Sequence, residues 1–196
     1  METSEIKSEL SFGYKELVKY LLKKYGAVQG DYFCTDSCKS RNKKISRIKD
    51  GLYCHHIDEY RAIKLSDPKM AVYYPFEYQK ADRLVYCNVL EHLILHIKII
   101  QSQNPFGLDA LSPFGIGGLL NICFCINDYY NGYQYKRESD KNIYSVIENN
   151  FDDYIYILKE LLKSSKNIKE YDGLINKKNL SLGWKGEIIK KVYDRL

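Results

Sequence analysis

Long apolar runs are missing from this 196-residue chain. The longest, FGIGGLLNICFCI at 114–126, is too short to span a bilayer and carries an Asn and three Gly. No charged segment leads into an apolar stretch at the start, so the sequence shows no signal peptide. CxxC pairs are absent as well. The six cysteines, without an export signal, read as reduced thiols and speak against a disulfide-stapled scaffold. Internal repeats and low-complexity segments are also lacking. Together these absences give the expectation of a soluble, cytoplasmic protein with no membrane partner.

What is present excludes a disordered chain: 45% of the residues are hydrophobic and 14% aromatic, enough to bury a core. The net charge is +5, and residues 1–50 hold eleven Lys and Arg against seven Asp and Glu. The run KSRNKKISRIKD at 39–50 has six basic side chains and one acid. Such a run attracts polyanions by releasing the counterions condensed on phosphates, although a solvated surface loop has the same composition. Lys39, Arg41, Lys43, Lys44 and Arg47 are its candidate nucleic-acid contacts.

Periodicity gives a coarse map. Residues 5–24 place Leu10, Phe12, Leu17, Val18, Leu21 and Leu22 at helical spacing, ending at Gly26. Residues 27–50 are less regular. GLYCHHI at 51–57 reads as a short strand entered through Gly51, and 60–82, with Pro68 and Pro75, as a loop with short helical turns. Strand character returns at Leu84, turns helical through NVLEHLILHIKIIQ, and stops before Asn104-Pro105. Residues 107–132 are Gly-rich, then apolar and helical; 141–165 form an amphipathic helix; 184–196 form one more short helix, with Trp184 as its anchor. GIGG at 115–118 lacks the Gly-Lys-Ser/Thr of a nucleotide loop and reads as a helix-entry turn.

Histidine is scarce, with four in the chain, and all four fall in CHHIDEY at 54–60 and LVYCNVLEHLILH at 84–96. On a helix, His92 and His96 stack on one face. A third imidazole from the strand would complete a metal site with an open position, and imidazole favours Zn²⁺, Ni²⁺ or Mn²⁺ over Mg²⁺. The fourth would be free to act as a general base on water. Successive strand residues face opposite sides, so His55 and His56 cannot both meet one ion on a regular strand. Asp58 and Glu59 follow them, either as carboxylates orienting an imidazole or as solvated loop acids.

These residues resemble the HNH nuclease family, the ββα-metal or His-Me finger enzymes. In that family a strand ends in Asp-His or His-His, and a second strand begins near Asn-Leu-Val. A helix then brings a histidine nine residues after the Asn and often another four later. Leu84-Val85 sets the register here, which places the family's Asn at position 83 and the helical histidines at His92 and His96.

The resemblance covers about residues 51–98. It implies an α+β fold, a small ββα-metal core embedded between mainly helical N- and C-terminal segments. The stretches would be 1–50, 51–103 with an insertion at 60–82, and 104–196. It further implies His55, His92 and His96 as ligands of one divalent ion, with His56 as general base. Position 83 is Arg instead of the Asn that braces the loop between the strands, and Arg83 is assigned with His56 to the catalytic set, near the phosphate.

The implied activity is metal-dependent hydrolysis of phosphodiester bonds, by an endonuclease acting on DNA more than RNA; paired cleavage of a duplex would call for a homodimer. In the insertion, Arg61 and Lys64, with Lys69 and Lys80, interleave with Tyr73, Tyr74, Phe76 and Tyr78. That mixture fits phosphates and bases, and equally a satellite core beneath the loop. Two other readings stand beside the nuclease. One is an inactive module that keeps the fold and binds nucleic acid; the other is a helical interaction protein with structural histidines.

Overall fold

The computed structural model describes residues 3–102, 114–165, 173–184 and 187–196. Among them the protein is rich in helix and carries one two-stranded antiparallel sheet. No helix among them is long and apolar enough to cross a membrane. The chain opens with α1 (Thr3–Ser11) and α2 (Tyr14–Tyr25). Periodicity alone predicts one helix over 5–24. Gly13 divides it: its backbone is extended, and its N–H donates to the Glu16 carboxylate, which starts α2 afresh. Gly26, at φ 81°, closes α2 by donating to the Leu22 carbonyl.

Residues 27–52 run irregularly through short 3₁₀ turns, as the sequence suggests, and Gly51 turns the chain at φ 74° into β1 (Tyr53–His56). The insertion is a series of helical turns with one short helix, α3 (Pro68–Ala71). β2 (Leu84–Cys87) then pairs with β1 in the register His55 to Val85 and His56 to Leu84.

α4 (Val89–Ser102) follows at once and forms the centre of the molecule. Its start is fixed by reciprocal capping. The Asn88 side chain accepts from the N–H groups of Leu90 and Glu91, and the Glu91 carboxylate accepts from the Asn88 N–H at 2.7 Å. Leu90, Leu93, Ile94, Leu95, Ile97 and Ile99 are all buried, so α4 is enclosed on nearly every side. The predicted stop at Asn104-Pro105 lies outside the described residues.

α5 (Ile116–Tyr130) packs along α4 with two glycines at the contact. A Cβ on Gly118 would lie 2.1 Å from His96 Cε1, and one on Gly115, at φ 87°, would lie 2.9 Å from Ile99. The GIGG stretch is thus a helix entry that brings α5 against the histidine helix.

Beyond it, the amphipathic stretch 141–165 is divided into α6 (Glu138–Ser145) and α7 (Phe151–Ser165). The break sits where the Tyr130 hydroxyl donates to the Ile147 carbonyl at 2.6 Å. α8 (Lys177–Leu180), which periodicity does not disclose, and α9 (Lys190–Tyr193) complete the chain. Trp184 is 59% exposed and leans on α5, against Phe124 and with its N–H on Cys125 Sγ, instead of anchoring the last helix. The largest buried cluster runs from Ile6 to Val192, so the N-terminal, middle and C-terminal stretches share it.

Gly118 and its neighbour Gly117 give a paired test, because a Cβ on Gly117 meets nothing within 4 Å. Gly118→Ala should cost about 1–3 kcal/mol by forcing α5 from α4. Gly117→Ala should be neutral or stabilise by up to about 1 kcal/mol through helix propensity. Urea unfolding midpoints compare the two, and equal shifts would contradict the close approach of the helices.

Candidate metal centre

β1 ends on His56, and the 3₁₀ turn Ile57–Tyr60 that follows folds the chain back on itself. This turn carries Glu59 under both histidines. The ligating atoms of His55, Glu59, His92 and His96 all lie within 4.8 Å of one another. Glu59 Oε2 stands 3.7 Å from His55 Nδ1 and 3.3 Å from His96 Nε2. The His92 and His96 rings are 4.9 Å apart, and each is 5.2–5.4 Å from the ring of His55.

The rings of His55 and His56 leave the strand in different directions, as the pleat requires. His55 joins the helical histidines, with Tyr14 of α2 behind it. The Tyr14 hydroxyl has one proton and gives it to the Ile57 carbonyl at 2.8 Å. Its oxygen therefore accepts from His55 Nε2 at 3.1 Å, which places the imidazole proton on Nε2 and the lone pair on Nδ1, facing the cluster. This tautomer is assigned from the partners.

His56 lies on the other side, its ring 4.3 Å from that of Tyr32. The same logic orients it. Gln79 spends its amide N–H on the Leu65 carbonyl, so its oxygen accepts from His56 Nε2 at 2.8 Å. His56 Nδ1 is left with a lone pair 3.9 Å from Glu59 Oε1. One carboxylate thus stands between the three-histidine cluster and the fourth histidine.

The fit to a metal ion rests on orphaned polar atoms. The Nδ1 atoms of His55 and His92 are buried without a hydrogen-bond partner, and His96 turns its Nε2 to Glu59. Burial also holds the imidazoles neutral, the form that ligates. Burial, and after it the neighbouring histidines, hold His55 and His92 well below the usual imidazole range. Burial takes His96 and His56 down to about 4. The same burial pushes the Glu59 carboxyl up to about 8. Three neutral imidazoles and a carboxylate that ionises when a cation arrives form a coherent donor set.

The cluster opens on a cleft of about 700 Å³ lined by Glu59, His92 and His96, by loop residues including Lys64 and Ser66, and by the first turn of α5. Of the basic residues picked from sequence, Lys64 alone is on this lining. Arg41 donates to the Ser66 carbonyl and lies over the Tyr32 ring that covers His56. Arg47 binds Asp50 and the Tyr25 carbonyl, and Arg61 binds Asp58 and covers Tyr78. Lys39, Lys43 and Lys44 are exposed.

Arg83 is held in two bonds, at 2.7 and 2.5 Å, by the fully buried Asp58 carboxylate. It braces the turn that presents Glu59 through the Asp58 carboxylate. All six cysteines are free, and none joins a metal-ligand cluster among the described residues.

Sequence spacing brings His55, His92 and His96 within view, and leaves Glu59 among two equal readings. Its signal is the i,i+4 offset from His55, which becomes a contact once the strand breaks into a helical turn. Tyr14 and Gln79 lie 41 and 23 residues from the histidines they orient, and nothing local marks them.

Metal uptake should carry a proton signature. At pH 7 the histidines are already neutral and Glu59 holds its proton, since its folded value is raised. Zinc binding should therefore release about one proton at pH 7, fading above pH 8, and Glu59→Gln should release none. Calorimetry in buffers of different ionisation enthalpy reads this directly. Two or more protons would mean that the imidazoles are charged in the metal-free protein.

Comparison with known proteins leaves the site to its own geometry: no protein-family model, curated protein or solved structure matches the chain.

Proposed function

We propose that the protein is a metal-dependent endonuclease that hydrolyses phosphodiester bonds in DNA, with β1, β2 and α4 serving as a ββα-metal core. The observation that carries this reading is one arrangement. His55, His92, His96 and Glu59 form one cluster that meets a cleft through Glu59, His92 and His96, while a fourth histidine presents a bare Nδ1 to the same carboxylate. His55, Glu59, His92 and His96 would hold a divalent ion, which would supply positive charge against the negative charge that grows on the phosphate in the transition state.

The chain's own residues handle the proton. His56 is neutral at cellular pH because burial disfavours its charged form. Gln79 keeps the proton on Nε2, so Nδ1 is the nitrogen that takes a proton from the attacking water. The imidazolium formed then faces Glu59 Oε1 and keeps its bond to Gln79. Tyr14 holds His55 in the ligating tautomer. Arg83, engaged by Asp58, acts as a positioning residue for the turn between His56 and Glu59.

The test is conversion of supercoiled plasmid to nicked circles with Mg²⁺, Mn²⁺, Zn²⁺, Ni²⁺ or EDTA. Cleavage should need a metal and vanish with chelator. His56→Ala should lose about a hundredfold or more, the usual worth of a general base, while still binding zinc through the other three histidines and Glu59. Cleavage that survives EDTA, or that is unchanged in His56→Ala, would defeat the proposal.

A further inference from the structure

Lys64 is unusual in two respects. It lines the cleft beside the metal cluster, and its backbone lies in the left-handed region at φ 53°. That region disfavours any residue with a Cβ, so a lysine stays there only where its surroundings fix it. Here they do, because three successive carbonyls are taken. The Lys64 carbonyl accepts from the Asp67 N–H at 2.9 Å, the Leu65 carbonyl from the Gln79 amide at 3.2 Å, and the Ser66 carbonyl from the Arg41 guanidinium at 2.6 Å. Leu65 is fully buried, whereas Lys64 stays exposed at the rim.

Gln79 and Arg41 are also the residues arranged around His56. The Gln79 oxygen accepts from His56 Nε2, and Arg41 covers the Tyr32 ring that lies against the imidazole. The bonds that orient His56 therefore hold the turn that carries Lys64. A cation on this turn keeps a fixed place relative to the fourth histidine.

The charge of Lys64 is free for a ligand. Among the described residues its ammonium has no carboxylate partner, whereas Arg61 and Lys80 of the same insertion are taken by Asp58 and Asp31. Among those residues it is also the one Lys or Arg on the cleft lining, which is otherwise largely aliphatic through Ile63, Ile122 and Leu174. A surface that tracks a duplex backbone engages many phosphates and needs many cations. One cation and aliphatic walls, in a cleft of about 700 Å³, suit a single phosphate with its neighbouring nucleoside.

Resting on the reading of the cleft as a nuclease site, we propose that Lys64 binds one phosphate of a single nucleic-acid strand and selects such a strand over a duplex. Glycine would suit this backbone better, but it would bring no charge to the cleft.

Three variants separate charge from folding. Lys64→Gln removes the charge and keeps most of the stem, Lys64→Arg keeps the charge, and Lys64→Gly relaxes the backbone while removing the side chain. A labelled DNA strand, alone and annealed to its complement, would be titrated by fluorescence anisotropy in EDTA at several salt concentrations. Urea midpoints and zinc uptake would be measured beside it.

The single strand should bind saturably and more tightly than the duplex. Its log affinity should fall with log salt at a slope of about −0.7, the value for one phosphate of a single strand. Lys64→Gln and Lys64→Gly should lose about fivefold to tenfold near 50 mM salt and bring the slope close to zero. Lys64→Arg should keep both. Lys64→Gly should hold or raise the urea midpoint, and all three variants should take up zinc as before. No saturable binding, or a steep slope that Lys64→Gln leaves unchanged, would overturn the assignment of the phosphate to Lys64. A duplex bound as tightly as the single strand would overturn the substrate class. Strand binding that depends on Lys64, without cleavage in the presence of any of the metals, would sink the nuclease reading and leave the Lys64 contact standing.

Discussion

The geometry of the site depends on where the first turn of α4 begins. Asn88 and Glu91 cap that turn reciprocally, and starting it one residue later would rotate every side chain on the helix by about 100°. His92 and His96 would then leave the cleft. Glu91 is itself tied from outside the helix, by the Lys24 ammonium at 2.6 Å and the Tyr25 hydroxyl at 2.9 Å. The end of α2 therefore fixes the phase of α4, and the start of α2, through Tyr14, fixes the tautomer of His55. One N-terminal helix sets both the position and the protonation of imidazoles that come much later in the chain.

Two buried clusters of ionisable groups lie on either side of α4, and their contrast is instructive. At the first, Glu5, Glu9 and Glu91 surround Lys24, so the protein supplies its own cation. Burial and the neighbouring Glu91 push Glu9 up to about 8, which limits the negative charge gathered there. At the second, Glu59 sits among histidines that burial keeps neutral, and among the described residues its ion-pair partners are histidines alone. Buried nitrogens without partners cost about 1–3 kcal/mol each. Both Glu9 oxygens at the first cluster also lack a hydrogen-bond partner, but the Lys24 ammonium 3.6 Å away supplies positive charge there, whereas at the second a bound cation would satisfy the lone pairs of the donor set and the Glu59 carboxylate together.

Glycine decides how closely the cleft wall approaches the cluster. Gly118 and Gly115 let α5 settle against His96 and Ile99, so the histidine helix forms the floor of a concave site instead of an exposed face. The insertion between the strands contributes the opposite rim. It also supplies Gln79, which keeps His56 apart from the ligand set while Glu59 joins the two.

By itself the sequence determined the local elements whose signals are local. The helical spacing of His92 and His96, the strand before His56, the turn at Gly51 and the helix entry at GIGG all follow from residue period and backbone preference. Periodicity also ran helices together, because at Gly13 and near Ile147 the break comes from a Glu16 carboxylate and a Tyr130 hydroxyl that no hydrophobic pattern encodes. Only the tertiary structure decided which nitrogen of each histidine is free, that Glu59 joins the cluster, that Arg83 is occupied by Asp58, and that most of the basic run stays off the cleft. The nitrogens of His55 and His56, the contact of Glu59 with His96 and the capture of Arg83 rest on partners tens of residues apart, and contacts of that kind form only after the core has brought the segments together.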